Sequence, residues 1–595
     1  MRAFFIAVIL TVLSATQLKA FELRFVSASS SETLNQSLRA ASLLVPLADK
    51  AAADPQDVLA AAQAEYARLI GALYEEGHFA PVIKIRVDGR EAASISPLAT
   101  LQRIRRVQVQ IDPGPTFSFG ETQLGPLAQG TELPEAFARG QTARTGAIRA
   151  AVETGIEGWR DVGHAKATIS KQDLRANHPA RRLDTRVTLA PGPQLRFGNL
   201  NIRGNKAVRT ERIRDIAGLP SGAVFDPDEL RKASQRLRRT GAFSVAALSE
   251  AEQIGPSNTL DIDAQIVEQK PRRFGFGLEY STSEGIGLQA FWLHRNLVGG
   301  AERLRVSGEI DGIGGQSGGV DYSFGARFTR PATFNEDTDF YAETQLESLN
   351  EENFSADRFS IEAGIIRYAS DERTYTFGLG LRRAKTQDDL GARDYTLVYG
   401  TASAEFDYRN DPLNATDGYY ALVSLTPFGA LQGTQSGLRS YADLRAYKSA
   451  GAQDRLTFAL RGQLGSVYGP SLTQAPADYL FYSGGGGTVR GHRFQALGVD
   501  LGGGNTIGGR SFLGLSAELR VKARDKLSVV GFTDAGYISS EAFPNLNDGR
   551  WHSGAGLGIR YDTGIGPLRV DVAVPVTGPG NPSGFELYIG IGQAF

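Results

Sequence analysis

From residue 272 to the C-terminus, apolar and polar side chains alternate with period two in one short segment after another. In Leu568–Val574, Leu568, Val570, Val572 and Val574 share one face, while Arg569, Asp571 and Ala573 share the other. In Phe512–Val521, Leu513, Leu515, Ala517, Leu519 and Val521 oppose Phe512, Gly514, Ser516, Glu518 and Arg520. Alternation of this kind marks strands with two unlike faces. Aliphatics on one face and charges on the other suit a closed sheet with lipid outside and water inside. A soluble sheet tolerates the same pattern, but not naturally in so many consecutive glycine-rich segments. Sixteen strands are predicted, starting near residues 273, 286, 302, 319, 338, 357, 373, 394, 418, 438, 454, 511, 526, 552, 566 and 584. An even number brings both ends of a barrel to one side. Links after even strands are mostly short turns, such as Lys522–Asp525 and Thr563–Ile565. Links after odd strands are often longer, as at Ser539–Trp551 and Val576–Ser583, and the longest spans about 468–510 after the eleventh strand. Short periplasmic turns against long external loops is the pattern of an outer-membrane barrel.

The first part of the chain reads differently. Arg2 followed by the apolar run Ala3–Leu13 predicts a secretory signal over residues 1–20, with cleavage after Ala20. Leu18 is a poor fit to the small-residue rule at such sites. An uncleaved anchor is the alternative, although the run is shorter than the roughly 20 residues a spanning helix needs. No later stretch reaches 18 apolar residues, so no spanning helix is predicted. A weak internal repeat follows. Gly114-Pro-Thr-Phe-Ser-Phe-Gly120 recurs as Gly192-Pro-Gln-Leu-Arg-Phe-Gly198. A helix-ending glycine leading into a strand occurs three times, in Leu73-Tyr-Glu-Glu-Gly77-His-Phe79, Trp159-Arg-Asp-Val-Gly163-His-Ala165 and Leu237-Arg-Arg-Thr-Gly241-Ala-Phe243. Glycine after a helix accepts the left-handed turn without a Cβ penalty. Three tandem α+β modules are therefore expected, at 21–112, 113–191 and 192–271, ahead of a barrel over 272–595. One irregular α+β domain is the alternative.

Composition sharpens the boundary. Residues 1–271 hold 19 of the 70 glycines and 2 of the 20 tyrosines, so the barrel region carries the remaining 51 and 18. The 64 Lys+Arg nearly balance 65 Asp+Glu, which removes a nucleic-acid reading based on a basic field. The absence of cysteine excludes disulfide frameworks, thiol catalysis and Cys-based zinc sites.

With these features in place, the chain resembles the POTRA-barrel proteins of the BamA/TamA superfamily. Further segments carry the resemblance in family order. Arg295-Asn-Leu-Val-Gly-Gly-Ala-Glu302 resembles the turn after the second barrel strand. Phe406-Asp-Tyr-Arg-Asn-Asp-Pro-Leu-Asn-Ala-Thr-Asp-Gly418 resembles the turn after the eighth. The long loop contains Val489-Arg-Gly-His492, and the thirteenth strand contains Phe532-Thr-Asp-Ala-Gly536. Three modules point toward the TamA branch. The resemblance implies POTRA modules in the periplasm of a Gram-negative bacterium and a 16-stranded barrel in its outer membrane. It also implies a factor that promotes insertion or secretion of β-barrel clients such as autotransporters. A TamB-like, inner-membrane-anchored partner would contact the modules. A two-partner secretion pore, or a passive porin or receptor with binding modules, is the rival expectation.

Two sites are expected. The long loop, with its glycine run Gly484–Gly487 and Gly491, can fold back into the lumen. Strand phasing turns Phe532, Asp534 and Gly536 inward, with Glu518, Arg520, Arg560 and Asp571. The resemblance selects Asp534 as the partner of Arg490, with Gly491 and His492 beside it; His492 stands where the family usually has Phe or Tyr. A solvated loop arginine is the plain alternative. The second site is the barrel seam, between Phe274, Gly275, Phe276 and Gly277 of the first strand and Gly590, Gly592 and Phe595 of the last. Glycine weakens strands, and an opened edge offers unpaired backbone groups to an incoming strand. Glycines that only fill a crowded lumen are the alternative. The resemblance favours a lateral gate and makes Phe595 part of a terminal signal, with Gln593 departing from the usual hydrophobic residue.

Enzymatic readings do worse. Gly315-Gln-Ser317-Gly-Gly319 matches a nucleophile motif but lacks the strand–turn–helix that exposes one. Gly554-Ala-Gly-Leu-Gly558 has the period of a strand face and no following helix, which disfavours a dinucleotide site. The six histidines show no close metal-ligand pairing. No catalytic residue, cofactor or metal is expected.

Overall fold

A computed structural model describes residues 20–595 except 51, 100, 452–453, 504, 546–548, 565, 579–583, 592 and 594. The expected signal therefore lies, apart from Ala20, outside the described residues. The chain forms two compact units. One comprises Met1–Asn199, Ser221–Glu229 and Glu252–Asp261, and the other Leu200–Pro220, Leu230–Ala251 and Ile262–Phe595.

The first unit begins with a four-stranded sheet in the order Glu22–Ser27, Arg106–Asp112, Val82–Val87, Arg90–Glu91. Its main helix, Pro55–Glu75, starts where the Asp54 side chain accepts from Gln56 N–H at 2.8 Å and Pro55 fills the first position. Val58, Leu59, Ala62, Leu69 and Leu73 form its buried face, in one cluster with Ile85, Val107, Val109 and Ile111 of the sheet. A three-stranded sheet follows, ordered Ser118–Gly125, Arg182–Ala190, Thr168–Asn177, with the helix Thr145–Asp161. The junctions repeat closely. Gly77 and Gly163 both have positive φ, and the next residue of each, His78 and His164, places Nδ1 2.9 and 2.8 Å from the carbonyls of Gly114 and Gly192. The short glycine–proline repeat thus serves the same joint twice. A third sheet, ordered Arg196–Arg203, Thr259–Glu268, Phe243–Glu250, accompanies the helices Thr210–Ala217 and Pro227–Arg239.

The C-terminal region is a closed barrel of sixteen strands, each paired with its neighbours in chain order. The strands start within three residues of the positions predicted from alternation. Leu515, Leu519, Leu568 and Val572 lie exposed on the outside, whereas Glu518, Arg520, Arg569 and Asp571 are buried inside. The long loop between Tyr468 and Ser511 is not structureless. It forms a 3-10 turn at Ala477–Tyr479 and a hairpin of Val499–Gly502 with Asn505–Ile507. Tyr479, Leu480, Phe481 and Leu497 join a buried cluster with inward residues of several strands, so the loop lies in the lumen.

Candidate functional site

The loop is held by a charge cluster inside the lumen. Arg490 donates from Nε and Nη2 to Asp534 at 2.7 and 2.9 Å, and its backbone N–H reaches the same carboxylate at 3.1 Å. Nη1 donates to Glu518 at 2.7 Å and lies 3.5 Å from Asp571. Arg520 donates to Glu518 at 2.9 Å, and Arg560 pairs with Asp571. Three guanidiniums thus face three carboxylates in a neutral, fully buried set. Buried charges persist only when compensated in this way. The Arg490 guanidinium also stacks 3.6 Å over the Phe532 ring, a cation–π contact.

Glycines make room for the loop. Gly491 has φ +96°, its N–H donates to the Tyr588 hydroxyl at 3.1 Å, and a Cβ there would sit 2.6 Å from the Val574 carbonyl. At Gly536 a Cβ would meet the His552 ring and lie 2.8 Å from Ser483 Oγ, and at Gly554 it would collide with the Arg490 carbonyl. The Gly554–Gly558 alternation is therefore a flattened strand face beneath Arg490. His492 places Nε2 3.0 Å from the Ser553 carbonyl and its ring edge-on to His552. The ring serves as packing and as a hydrogen-bond donor at this position.

A second anchor carries no legible signal in the sequence. Asp478, on the 3-10 turn, accepts from the Tyr395 hydroxyl and from Arg358 at 3.3 Å, and lies 3.8 Å from Arg382. The loop is thus tied at Asp478 to the sixth to eighth strands and at Arg490 to the twelfth, thirteenth and fifteenth. It bridges the lumen.

The seam is the weakest interface of the barrel. The first strand, Arg272–Ser281, pairs along its whole length with the second, Gly285–His294. Among the described residues it pairs with the last strand, Glu586–Ile591, only at Tyr280↔Ile589 and Ser281↔Tyr588. One further backbone bond, Thr282 N–H to Leu587 O at 3.1 Å, closes the external end. The Thr282 hydroxyl accepts from Leu587 N–H at 3.1 Å and donates to Glu586. From Arg272 to Glu279 the outer edge of the first strand pairs with no described strand, and Phe274 and Phe276 are 65 % and 85 % exposed. Gly275 lies against the Phe291 ring, and Gly277 lies beside Gln289. Gly590 leaves a path through which Arg569 of the fifteenth strand reaches Glu279 at 3.3 Å. Gly592 is outside the described residues.

Phe595 corrects the expectation that placed it in the seam. Its ring is buried inside the barrel with Ala415, Tyr447 and Ala459, and its carbonyl accepts from Arg520 at 3.1 Å. The last strand is described to Ile591. Gln593 then pairs with Arg560 at 3.0 Å and Asn414 at 2.9 Å. Polar partners in the lumen draw the terminus inward.

A joint between the third module and the barrel turns was also illegible in the sequence. Arg209 N–H donates to Gly299 O at 2.9 Å, and Arg212 donates to Pro331 O at 2.6 Å. Arg236 forks onto Asp337 at 2.9 and 2.8 Å, and Arg239 stacks 3.9 Å over Tyr368. Burial pushes the Asp337 carboxyl up, but Arg236 and Arg239 outweigh it and hold the group below the usual aspartate value.

Among known proteins, the model of the Omp85 superfamily domain matches residues 296–595, and a POTRA model, the surface antigen variable number repeat, matches 195–269. The outer membrane protein assembly factor BamA of Nitratidesulfovibrio vulgaris is 25% identical over 438 residues, covering 70% of this chain and 53% of that protein. The chain spans about half the length of this curated relative. The crystal structure of BamA from Haemophilus ducreyi lacking POTRA domains 1–3 superposes with a TM-score of 0.60 at 17% identity. That match covers 80% of this chain and 100% of the other, and shows a shared fold.

Proposed function

The chain belongs to the Omp85 superfamily, with its barrel in the outer membrane and its modules in the periplasm, and on that premise we propose that it assembles β-rich outer-membrane clients through its seam. The observation that carries this reading is the two-pair ladder between first and last strands. An unpaired strand edge recruits another strand, because backbone N–H and C=O groups at membrane depth need partners. A client strand pairs on the Arg272–Glu279 edge, and the opened seam gives it access to lipid. The loop bridging the lumen supports an assembly role over a passive pore. Clients of autotransporter type and a TamB-like periplasmic partner on the modules belong to the same proposal.

Reconstitution tests it. Liposomes carrying the purified protein should convert an unfolded autotransporter barrel to its protease-resistant form faster than empty liposomes. Equal rates overturn the proposal. Outer-membrane proteomics after depletion should then show loss of a set of β-barrel proteins, whereas loss of a single secreted protein would assign a dedicated secretion pore instead.

A further inference from the structure

Beside the seam lies a lumenal cavity of about 640 Å³, lined by the first five strands and their external turns, by Gly486, Gly487 and Phe494 of the long loop, and by Arg569, Tyr588, Ile591 and Gln593. Its charge is one-sided. Glu284, Glu309, Asp311, Asp321 and Glu351 line it, and among the described residues none of the five enters an ion pair. Two more carboxylates in the wall are matched, Glu279 by Arg569 and Glu347 by Arg358. Around Arg490, by contrast, the lumenal charges are matched. Here like charges crowd one space, and their repulsion grows as the surroundings exclude water.

A second observation is independent of charge. Ser317 lines the same cavity and is 7% exposed, and its buried hydroxyl has no hydrogen-bond partner among the described residues. A buried hydroxyl left in this state costs free energy that a donor entering the cavity would recover. No three of the acidic or histidine side chains among the described residues converge as ligands for one metal ion. The cavity is also far larger than a single ion. Its occupant is therefore extended and carries several spaced positive donors.

We infer that this cavity receives lysine and arginine side chains of a client strand paired on the free edge of the first strand. The inference rests on the assembly role proposed above and names the chemistry of its substrate. Period-two geometry supplies the connection: a strand added to Arg272–Glu279 sends alternate side chains inward, on the same face as Glu279. Ammonium and guanidinium groups there meet the unmatched carboxylates, and the Ser317 hydroxyl can accept from one of them.

The test uses full-length protein in nanodiscs and a fluorescent peptide of alternating valine and lysine, with a valine–glutamate peptide as its counterpart. The lysine peptide should bind at least tenfold more tightly, and its binding should weaken at least tenfold between about 50 and about 500 mM salt. A variant combining Glu309→Gln, Asp311→Asn and Glu351→Gln should lose the preference. If that variant does not fold, as judged by heat-modifiable migration, the charge preference and salt dependence of the unaltered protein decide alone. Equal binding of the two peptides, or salt-insensitive binding, overturns the inference. Saturable calcium binding by calorimetry, without a lysine preference, would reassign the cavity to an inorganic cation and overturn it equally. Because no client is inserted in this assay, its result is separate from that of the liposome experiment.

Discussion

Locking the seam is the most direct perturbation. The two ladder pairs, the Thr282 N–H bond to Leu587 and the two bonds of the Thr282 hydroxyl make about five hydrogen bonds at the closure. At about 1 kcal/mol net each, opening costs roughly 5 kcal/mol, or about one molecule open in several thousand. The twelfth and thirteenth strands, Ser511–Arg524 and Leu527–Ser539, are joined by thirteen register pairs. By the same reckoning that interface costs about 13 kcal/mol and stays shut. The chain has no cysteine, so an engineered pair has no competitor. Tyr280→Cys with Ile589→Cys, a facing pair at the seam, should form a disulfide that abolishes client insertion in liposomes, with activity restored by reductant. Val521→Cys with Val529→Cys, a facing pair at the strong interface, should form the same bond without effect. Full activity of the oxidised seam variant would refute the reasoning, as would equal loss in both.

Further perturbations address the loop anchor and the joint of module and barrel. Arg490→Ala removes bonds to Asp534, Glu518 and Asp571 and strands buried carboxylates. The expected cost is about 3–5 kcal/mol of loop seating, seen as new protease cleavage within 468–510. Asp534→Ala should cost a similar amount, and the double variant no more than the worse single one. Asp337 tests the joint of module and barrel. Its folded-state pKa is depressed, so its contribution is complete above the ordinary aspartate value of 3.8 and is lost as pH falls through the lower folded value. Hydrogen exchange in the helix Pro227–Arg239 should rise on acidification in the natural protein, and should be raised already at neutral pH in Asp337→Asn.

The barrel was legible because lipid imposes the same demand at every second residue, and sixteen segments repeat it. The repeat joints were legible because a left-handed turn after a helix selects glycine, as at Gly77 and Gly163. Inward phasing placed Glu518 and Asp571 in the lumen but did not name their partners, since a period states a face and not a depth. Asp478 sits in a loop without periodicity, so nothing marked it. Arg236 is one of several basic residues on the helix Pro227–Arg239, and its partner lies on a turn 101 residues away, so nothing in the sequence singled it out. Glycine content pointed to a weak seam, but the extent of pairing there depends on where the last strand leaves the sheet.

That departure is itself a consequence of sequence, and it can be tested. The register Tyr280↔Ile589, continued toward the periplasm, would set Gln593 opposite Phe276 and Phe595 opposite Phe274. Leu587, Ile589 and Ile591 lie on the outer face of the last strand, so Gln593 in the same alternation would point into lipid. An amide there has no partner, a cost of several kcal/mol. Inside the lumen it meets both Arg560 and Asn414. The terminus therefore turns inward, and the free edge of the first strand is what this turn leaves behind. Gln593→Leu should remove the preference. The last strand would then zip onto the first by up to about four more residues, adding roughly 4 kcal/mol to the closure and lowering its open population about a thousandfold. Spin labels placed on the external faces of the first and fifteenth strands should show a narrower distance distribution, and client insertion should fall in parallel. A zipped seam with undiminished insertion would separate the gate from the activity. An unaltered seam would mean that the Phe595 ring, rather than the Gln593 amide, holds the terminus in the lumen.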